Sequence, residues 1–335
     1  MADDTAGDQT AATAADLERA MDAAAAAITA ARTVTLACHV SPDGDALGSL
    51  LGMHHLCRAN GVDSVATWPE PFEVAPHYQF LPGLDLATKP DDVDAEPELF
   101  VTFDCGDVHR LGSLEPMANS AGVLVVVDHH ASNDRYGEIN LVDPDAAASA
   151  VLVRRLADRL GWQLTRDAAI CLYVGLVTDT GRFQYSNTTP EVFAMAEELA
   201  RFDLPIAALS RELFEKHRFA YLKLVGEALE RAEFDPDLSL AVTWVTTADL
   251  ERHGVHIDEL EGLIDLVRRT AEAEVSCVLK EAPGGVRVSL RSIARVDVAA
   301  IARRFGGGGH RFAAGFTDQR PIPEILADIR AALGE

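Results

Sequence analysis

The sequence predicts an α/β protein, with an N-terminal domain built on a mainly parallel sheet flanked by helices and a smaller C-terminal α/β domain. Short apolar runs such as 123–127 occur among longer segments of helical periodicity, as in βαβ units. An apolar run without alternation is typical of a strand buried on both faces of a covered parallel sheet. The 335 residues exceed the usual length of one domain.

Each predicted element has its own local signal. Glycine after an apolar helix indicates its end, and Thr, Asp or Pro before one indicates its start. In order, these signals predict helix 17–31, strand 33–38, helix 44–60, strand 63–68, strands 99–103 and 123–127, a polar connection over 133–143, and helices 146–160, 166–177, 190–200 and 205–231. The second domain is predicted to hold strand 239–245, helices 248–253 and 258–270, strands 274–280 and 286–291, and helices 298–305 and 323–333.

The composition of the sequence indicates where its domains begin and end and which classes of partner it can bind. We expect a disordered tail over 1–13, a first domain over 14–200, a helical linker over 201–236 and a second domain over 237–335. The net charge of −24 argues against binding a long nucleic-acid duplex, because that affinity comes from Lys and Arg. No apolar run is long enough to span a membrane, and the acidic start lacks a secretory signal. The five scattered cysteines indicate a reduced, cytoplasmic protein.

Carboxylate and imidazole side chains follow the predicted strands where each strand ends. Asp128, His129 and His130 come directly after the run 123–127. A capped turn would explain Asp128 alone, but two other predicted strands are followed by such residues as well. Because parallel strands bring their carboxyl ends to one edge of a sheet, we expect the residues after these strands to meet there. They are His39, Asp43, Asp45, Asp104, Asp128, His129 and His130, and Asp179, which follows a predicted helix, is grouped with them.

This set favours a site for divalent metal ions. Clustered carboxylates repel one another unless positive charge compensates them. Oxygen ligands mixed with imidazole suit Mn²⁺ or Mg²⁺, and no cysteine occupies an obvious ligand position. Six or more ligands exceed the need of one ion, so two ions sharing a bridging carboxylate are the economical arrangement. Ions about 3.5–4 Å apart stabilise the attacking and leaving oxygens of a phosphoryl displacement.

A run of four glycines is the second candidate site. Gly306, Gly307, Gly308 and Gly309 precede His310, and Arg291 ends a predicted strand. Successive glycines allow backbone N–H groups to close on a phosphate. A flexible loop is the alternative interpretation of such a run.

These motifs together resemble a known family. The segments 39–49, 104, 128–130 and 178–181 are similar to the four motifs of the DHH phosphoesterases, and Arg291 with 306–310 is similar to the DHHA1 companion domain. The resemblance covers residues 30–330. Within the family, the sequence is most similar to the bifunctional oligoribonuclease and PAP phosphatase (NrnA-like) group, which also includes enzymes that degrade cyclic di-AMP and pApA.

The resemblance implies a role for each site residue. It implies two Mn²⁺ ions, or Mg²⁺ or another divalent metal, as cofactors. By this resemblance, one ion would be bound by His39 and Asp43, the other would be bound by Asp45, His129 and Asp179, and Asp104 would bridge the two ions. His130, oriented by Asp128, would face the substrate phosphate. The nucleotide would be bound by Arg291, the four glycines and His310. One departure is Arg311, where the family pattern has Lys.

The resemblance implies a hydrolase that releases nucleoside 5′-monophosphates from nanoRNA and pApA and converts PAP to AMP. Cyclic di-AMP is a further candidate substrate. The alternatives are a family II-like inorganic pyrophosphatase or exopolyphosphatase, and a nucleotide-binding sensor without activity. The sequence predicts no membrane partner, and it leaves both a monomer and a homodimer open.

Overall fold

The computed structural model describes residues 13–334. The tail predicted over 1–13 lies outside the described residues, apart from Thr13. The chain forms two compact units: the first contains residues up to 74 and 78–209, and the second contains 75–77 and the residues from 210 onward. No helix among the described residues is both long enough and apolar enough to cross a membrane.

The first unit is built on a parallel sheet, as predicted. Its helices are α1 (Ala14–Ala30), α2 (Gly44–Ala59), α3 (Glu115–Ser120), α4 (Ser149–Leu160), α5 (Arg166–Asp179) and α6 (Pro190–Ala200), followed by α7 (Ile206–Phe214), which runs across the boundary between the units. Its strands are β1 (Thr33–Cys38), β2 (Asp63–Thr67), β3 (Leu99–Phe103), β4 (Val123–Asp128) and β5 (Ile139–Val142), in the order β2-β1-β3-β4-β5, all parallel.

The second unit contains a mixed sheet. Its strands are β6 (Glu233–Asp235), β7 (Leu240–Val245), β8 (Val275–Ala282), β9 (Gly285–Ser292), β10 (Gly308–His310) and β11 (Ala313–Asp318), in the order β10-β11-β9-β8-β7-β6. Its helices are α8 (Phe219–Glu230), α9 (Thr247–His253), α10 (Leu263–Val267), α11 (Val298–Arg304) and α12 (Ile322–Gly334). One core packs the sheet against α11 and α12, and another packs it against α8 and α10.

The apolar pattern explains why the strands of the first sheet form where they do. All five residues of β3 are buried, and the last four of β4 are buried as well, so both faces of these strands are covered. The five cysteines are free and buried, as predicted for a reduced protein. Strands β1, β3 and β4 are neighbours, which brings their carboxyl ends to one edge.

The structure corrects the prediction of a polar connection over 133–143. Part of that segment is β5, which pairs with β4 from Val125–Ile139 to Asp128–Val142. A four-residue edge strand among polar residues has little pattern of its own, so its pairing with β4 determines it.

The predicted helix 205–231 was also wrong, because α7 ends at Phe214 and α8 starts at Phe219. The backbone of Arg218 is extended. Its guanidinium donates to Glu259 at 2.6 and 2.9 Å and to the carbonyl of Gly254 at 2.7 Å. These tertiary contacts fix Arg218 outside the helix, although the apolar periodicity continues through the break. The predicted helix 258–270 is likewise shorter, since a 3-10 turn precedes α10.

Candidate metal centre

The predicted acidic and imidazole residues meet at the carboxyl edge of the first sheet. His39 follows β1, Asp104 follows β3, and Asp128 ends β4. The sheet order places the chain reversal between β1 and β3, where open α/β sheets form their ligand crevice. His39 and Asp104 therefore lie at the point of the sheet that favours a ligand site.

Asp104 lies between two groups of side chains. Its Oδ2 is 3.7 Å from Nε2 of His39, and that nitrogen is 3.8 Å from Oδ2 of Asp43. Its Oδ1 is 3.4 Å from Nε2 of His129, and that nitrogen is 3.1 Å from Oδ2 of Asp179. One carboxylate thus presents each of its oxygens to a different group.

Asp45 completes the second group. Its Oδ2 is 3.8 Å from Nε2 of His129, and possible ligand atoms of Asp45, Asp104 and His129 all lie within 4.8 Å of one another. Those of His39, Asp43 and Asp104 meet the same limit. The structure therefore contains two adjacent groups that could each hold a metal ion, with Asp104 common to both.

The imidazoles of His39 and His129 are fixed in the tautomer that a metal requires. Nδ1 of His39 lies 2.8 Å from the carbonyl of Val40, and Nδ1 of His129 lies 3.1 Å from the carbonyl of Ala146. A carbonyl oxygen only accepts, so each Nδ1 carries the proton. The lone pair of each neutral ring is then on Nε2, which faces the carboxylates.

Asp45 is buried completely and held by the start of α4. Its oxygens accept from the backbone N–H of Ser149 at 2.5 Å and of Ala150 at 3.0 Å, and from Oγ of Ser49 at 3.1 Å. A Cβ at Gly175 of α5 would lie 2.7 Å from Oδ1 of Asp45, so glycine allows α5 to pass close to this carboxylate. The packing of three helices therefore fixes the position of Asp45.

Asp128 orients the two histidines that follow it. Its Oδ1 accepts from the backbone N–H of His129 at 2.8 Å and from Nδ1 of His130 at 2.7 Å, and its Oδ2 accepts from Asn133 at 2.5 Å. The capped-turn interpretation is therefore correct for Asp128, and the same carboxylate also positions the ring of His130. Because Nδ1 is engaged, Nε2 is the atom that His130 can offer to a substrate.

The pKa values show how strongly these groups interact. Burial, together with the negative charges of Asp104 and Asp179, raises the pKa of Asp45 well above its usual value. Burial also opposes ionisation of Asp104, but His129 and His39, which face it through Nε2 and compensate its charge when their rings are protonated, outweigh burial and hold the pKa of Asp104 well below its usual range. Burial disfavours a charged His129, yet Asp104 and Asp179 raise its pKa.

Backbone strain adds to the unusual character of Asp104. Its φ is +55°, a left-handed conformation, and its N–H donates to the carbonyl of Val127 at 3.0 Å. A non-glycine residue in this region costs about 1–3 kcal/mol and occurs preferentially at functional sites. The neighbouring strand β4 therefore holds the Asp104 carboxylate in place at an energetic cost.

The donor set fits divalent metal ions. Asp45 and Asp104 are 0% and 2% exposed, and neither forms an ion pair with Lys or Arg within residues 13–334. Buried carboxylates without a cationic partner are costly. Oxygen and imidazole ligands are those that Mn²⁺ and Mg²⁺ prefer, so this part of the chain could bind such ions.

The second unit brings Arg291 and His310 to one face of its sheet. Ala313 of β11 pairs with Arg291 of β9 and with His310 of β10, so the three residues lie at one level. Nε of Arg291 is buried without a hydrogen-bond partner. The guanidinium donates from Nη1 to the carbonyl of Leu290 at 3.1 Å and leaves the buried Nε–H without an acceptor.

The glycine run is only partly the flexible loop of the alternative interpretation, because half of it lies in a strand. Gly308 and Gly309 form β10 with His310. Gly309 has φ +131°, and a Cβ there would lie 2.5 Å from the carbonyl of Ala313. Glycine at this position is therefore required by the close approach of β11. Gly306, with φ +74°, and Gly308 have open space at the Cβ position, and a Cβ at Gly307 would meet β11.

Sequence analysis missed two residues that organise the centre. Oγ of Ser149 donates to Oδ1 of Asp104 at 3.1 Å while its N–H binds Asp45, so one residue fixes two carboxylates. Asn133 binds Asp128 and the carbonyl of Cys105. Neither residue follows a strand directly, so the strand-end pattern gave no signal for them.

Two family models match the chain. The DHH family, N-terminal domain, matches residues 33–176, and the DHHA1 domain matches residues 237–335. The solved exopolyphosphatase-related protein from Bacteroides fragilis has a similar fold, with a TM-score of 0.86 over 95% of this chain and 96% of that one at 24% identity. The fold and the site therefore define a DHH protein with a DHHA1 domain.

Similarity to named relatives identifies a smaller group of proteins within this class. The bifunctional oligoribonuclease and PAP phosphatase NrnA of Thermus thermophilus is 33% identical over 286 residues, which are 85% of this chain and 83% of that protein. The protein of the same name from Bacillus subtilis is 29% identical over 90% of this chain and 95% of that protein. The chain belongs to the family of these NrnA proteins.

Proposed function

We propose that the protein is a metal-dependent phosphoesterase that hydrolyses short oligoribonucleotides such as pApA to nucleoside 5′-monophosphates and PAP to AMP. The names of the relatives from Thermus thermophilus and Bacillus subtilis state oligoribonuclease and PAP phosphatase activity. The observation that carries the proposal is Asp104, whose two oxygens face separate groups of possible metal ligands. In this proposal, His39 and Asp43 would hold one ion, Asp45, His129 and Asp179 would hold the other, and both groups would share Asp104.

Two divalent ions, when bound, would lower the pKa of a water nucleophile and balance the charge that develops on the phosphoryl oxygens. His130 would donate a proton or hydrogen bond from Nε2 to a phosphate oxygen. Burial opposes a charged ring at His130, but Asp128 outweighs it and raises the pKa of His130. Asp128 thus keeps a donor available beside the centre.

Arg291, Gly306–Gly309 and His310 would bind the nucleotide. Two observations support this assignment. Nε of Arg291 has no hydrogen-bond partner, and His310 lies level with Arg291 on the same face of the sheet, across β11. A guanidinium binds phosphate through several directed hydrogen bonds. The proposed partners are therefore short nucleotides, and cyclic di-AMP is a further candidate among them.

The test is release of AMP from pApA in Mn²⁺, followed by chromatography. We expect activity in the wild type, at least about a hundredfold loss in Asp104→Ala, and unchanged activity in Asp92→Ala, an exposed carboxylate away from the centre. Full activity of Asp104→Ala would refute the assignment. Pyrophosphate hydrolysed faster than pApA would favour the pyrophosphatase alternative, and nucleotide binding without turnover would favour a sensor.

A further inference from the structure

Lys280 is a buried cation of the second unit without a partner of its own. It is only 8% exposed, and it forms neither a hydrogen bond nor an ion pair within residues 13–334. Lysine is rarely buried unless it is paired, because its charge loses hydration. Its ammonium is not completely enclosed, and the stem of a lysine can be buried while the charged end stays accessible. The position therefore suits a cation that waits for an anionic ligand.

The register of the sheet places Lys280 on the same face as Arg291. Lys280 of β8 pairs with Arg287 of β9, and Arg291 lies four residues further along β9. Side chains alternate between the two faces of a strand, and paired residues point to the same face. The intervening Leu279 and Leu290 belong to the core on the opposite face. The face that carries Arg291 therefore also carries the unpaired lysine.

Two carboxylates influence Lys280 without pairing with it. Oδ1 of Asp258 lies 3.1 Å from Nη1 of Arg287. Oε2 of Glu261 lies 3.3 Å from Nε2 of His77, which belongs to the same unit. Burial lowers the pKa of Lys280, and the opposing effect of Glu261 and Asp258 does not offset it. Each carboxylate is thus engaged by another cation, and the charge of Lys280 is left for a ligand to balance.

The proposed substrates share one anionic group that the reaction leaves intact. PAP loses its 3′-phosphate and keeps its 5′-phosphate in the product AMP. Cleavage of pApA at the internal phosphodiester likewise leaves the terminal 5′-phosphate in place. A phosphate monoester carries nearly two negative charges at neutral pH and has three acceptor oxygens. A site that accepts both substrates therefore meets this group at the same position relative to the bond that breaks.

We propose that Lys280 binds the 5′-phosphate that is not cleaved, and that the protein thereby prefers nucleotides with a 5′-phosphate monoester. This inference rests on the proposed function and names a residue that selects its substrates. The levels of Lys280 and Arg291 are four residues apart, about 13 Å along the strands, so the two cations can contact different groups of one nucleotide. The phosphate supplies the charged partner that Lys280 lacks, and hydrogen bonds between charged groups are the strong ones.

Steady-state kinetics of the full chain with pApA and ApA in Mn²⁺ tests the proposal. The two substrates have the same internal bond, but only pApA carries a 5′-phosphate. We expect the KM of the wild type to be about tenfold lower for pApA than for ApA. Lys280→Met raises the KM for pApA to near that for ApA and leaves the constants for ApA unchanged. Lys223→Met is the matched control, because it removes the same charge from the exposed side of α8, and it leaves the KM for both substrates unchanged.

Thermal unfolding without ligand separates binding from a structural role. Methionine is similar to lysine in length and removes an unpaired buried charge, so Lys280→Met raises the melting temperature. A lower melting temperature with equal losses on pApA and ApA would instead assign Lys280 a structural role and overturn the proposal. Equal KM values for the two substrates in the wild type would overturn it as well.

A binding measurement distinguishes this proposal from the proposed function. If the wild type hydrolyses neither substrate, the proposed function fails, and isothermal titration with pApA and ApA still measures the role of Lys280. A Kd for pApA about tenfold higher in Lys280→Met than in the wild type supports the proposal. The same Kd in both proteins overturns it.

Discussion

The two units differ in how they stabilise a carboxylate that is largely shielded from water, half-buried Glu274 in the second unit and fully buried Asp45 in the first. In the second unit, Oε1 of Glu274 accepts from Oγ of Ser292 at 2.9 Å and from the backbone N–H groups of Ala294 and Arg295 at 3.0 and 2.6 Å. Burial opposes its ionisation, but these donors lower the pKa of Glu274 to about 2. In the first unit, burial and nearby carboxylates raise the pKa of Asp45 even though it accepts several hydrogen bonds.

This difference agrees with a structural role for Glu274 and with the ligand role proposed for Asp45. Glu274 is surrounded by donors that satisfy its charge, so it fixes the loop after β9 without further help. Asp45 faces Asp104 and Asp179, so its charge is compensated only when cations or protons are present. Crowded, perturbed carboxylates indicate a functional site, whereas a fully satisfied carboxylate indicates a structural role.

The largest expected effect is that of Mn²⁺ on stability. Binding to the folded state alone adds about 4 kcal/mol at a free concentration near a thousand times the Kd. We therefore expect a large rise in melting temperature on adding Mn²⁺ to the wild type, measured by calorimetry. Asp104→Asn should lose most of this rise, and Glu274→Gln should keep it. An equal rise in Asp104→Asn would show that Mn²⁺ binds elsewhere.

A somewhat smaller effect is expected for Glu274→Gln. The substitution leaves the surrounding N–H donors without a charged acceptor, which should lower the free energy of unfolding by about 2 kcal/mol near neutral pH. The folded-state pKa of Glu274 is below its ordinary value of 4.5, so the stabilisation is complete above that value and is lost as the pH falls toward about 2. Urea unfolding at several pH values should show the two proteins converging in acid. A gap independent of pH would contradict this account.

Ser149→Ala should weaken metal binding without unfolding the protein. The variant loses the hydrogen bond from Oγ to Asp104 but keeps the N–H bond to Asp45. Loss of a residue that orients a ligand costs about 10- to 100-fold in metal affinity, which isothermal titration with Mn²⁺ would measure. Ser120→Ala is the control, because Oγ of Ser120 donates to the carbonyls of Ala95 and Met117 and to none of the proposed ligands. Equal losses in the two variants would argue against a special role of Ser149.

The meeting of the strand-end residues could be predicted because the topology of a parallel sheet determines where the ends of its strands lie. Once 33–38, 99–103 and 123–127 are recognised as buried parallel strands, the residues after them must share one edge of the sheet, however far apart they lie in sequence. His39, Asp104 and His129 meet in this way. The strand argument does not reach Asp179, because Asp179 ends a helix and not a strand.

The remaining features depend on contacts that no local pattern encodes. Ser149 reaches Asp45 across 104 positions of sequence, and this contact depends on where α4 begins. Strand β5 is determined by its pairing with β4, and β10 is a strand although glycine disfavours strands. Arg218 interrupts a continuous apolar periodicity because Glu259 binds its side chain. In each case the deciding partner is distant in sequence.

The smallest expected effect concerns the charges on the face of β9. Arg291→Gln should raise the KM for pApA about tenfold, the loss of one hydrogen bond to a charged group. We expect little change in melting temperature, because the hydrogen bond that is lost runs only from Nη1 to the adjacent carbonyl of Leu290 and Nε has no partner. Arg287→Gln is the matched control, since Arg287 lies on the same face and is paired with Asp258 at 3.1 Å. Steady-state kinetics on both variants would measure the difference. If the two substitutions raised the KM equally, the positive charge of the sheet face, and not Arg291 itself, would hold the substrate. The distinction between a side chain whose hydrogen bonds are satisfied and one whose hydrogen bonds are not would then apply to the carboxylates but not to the arginines.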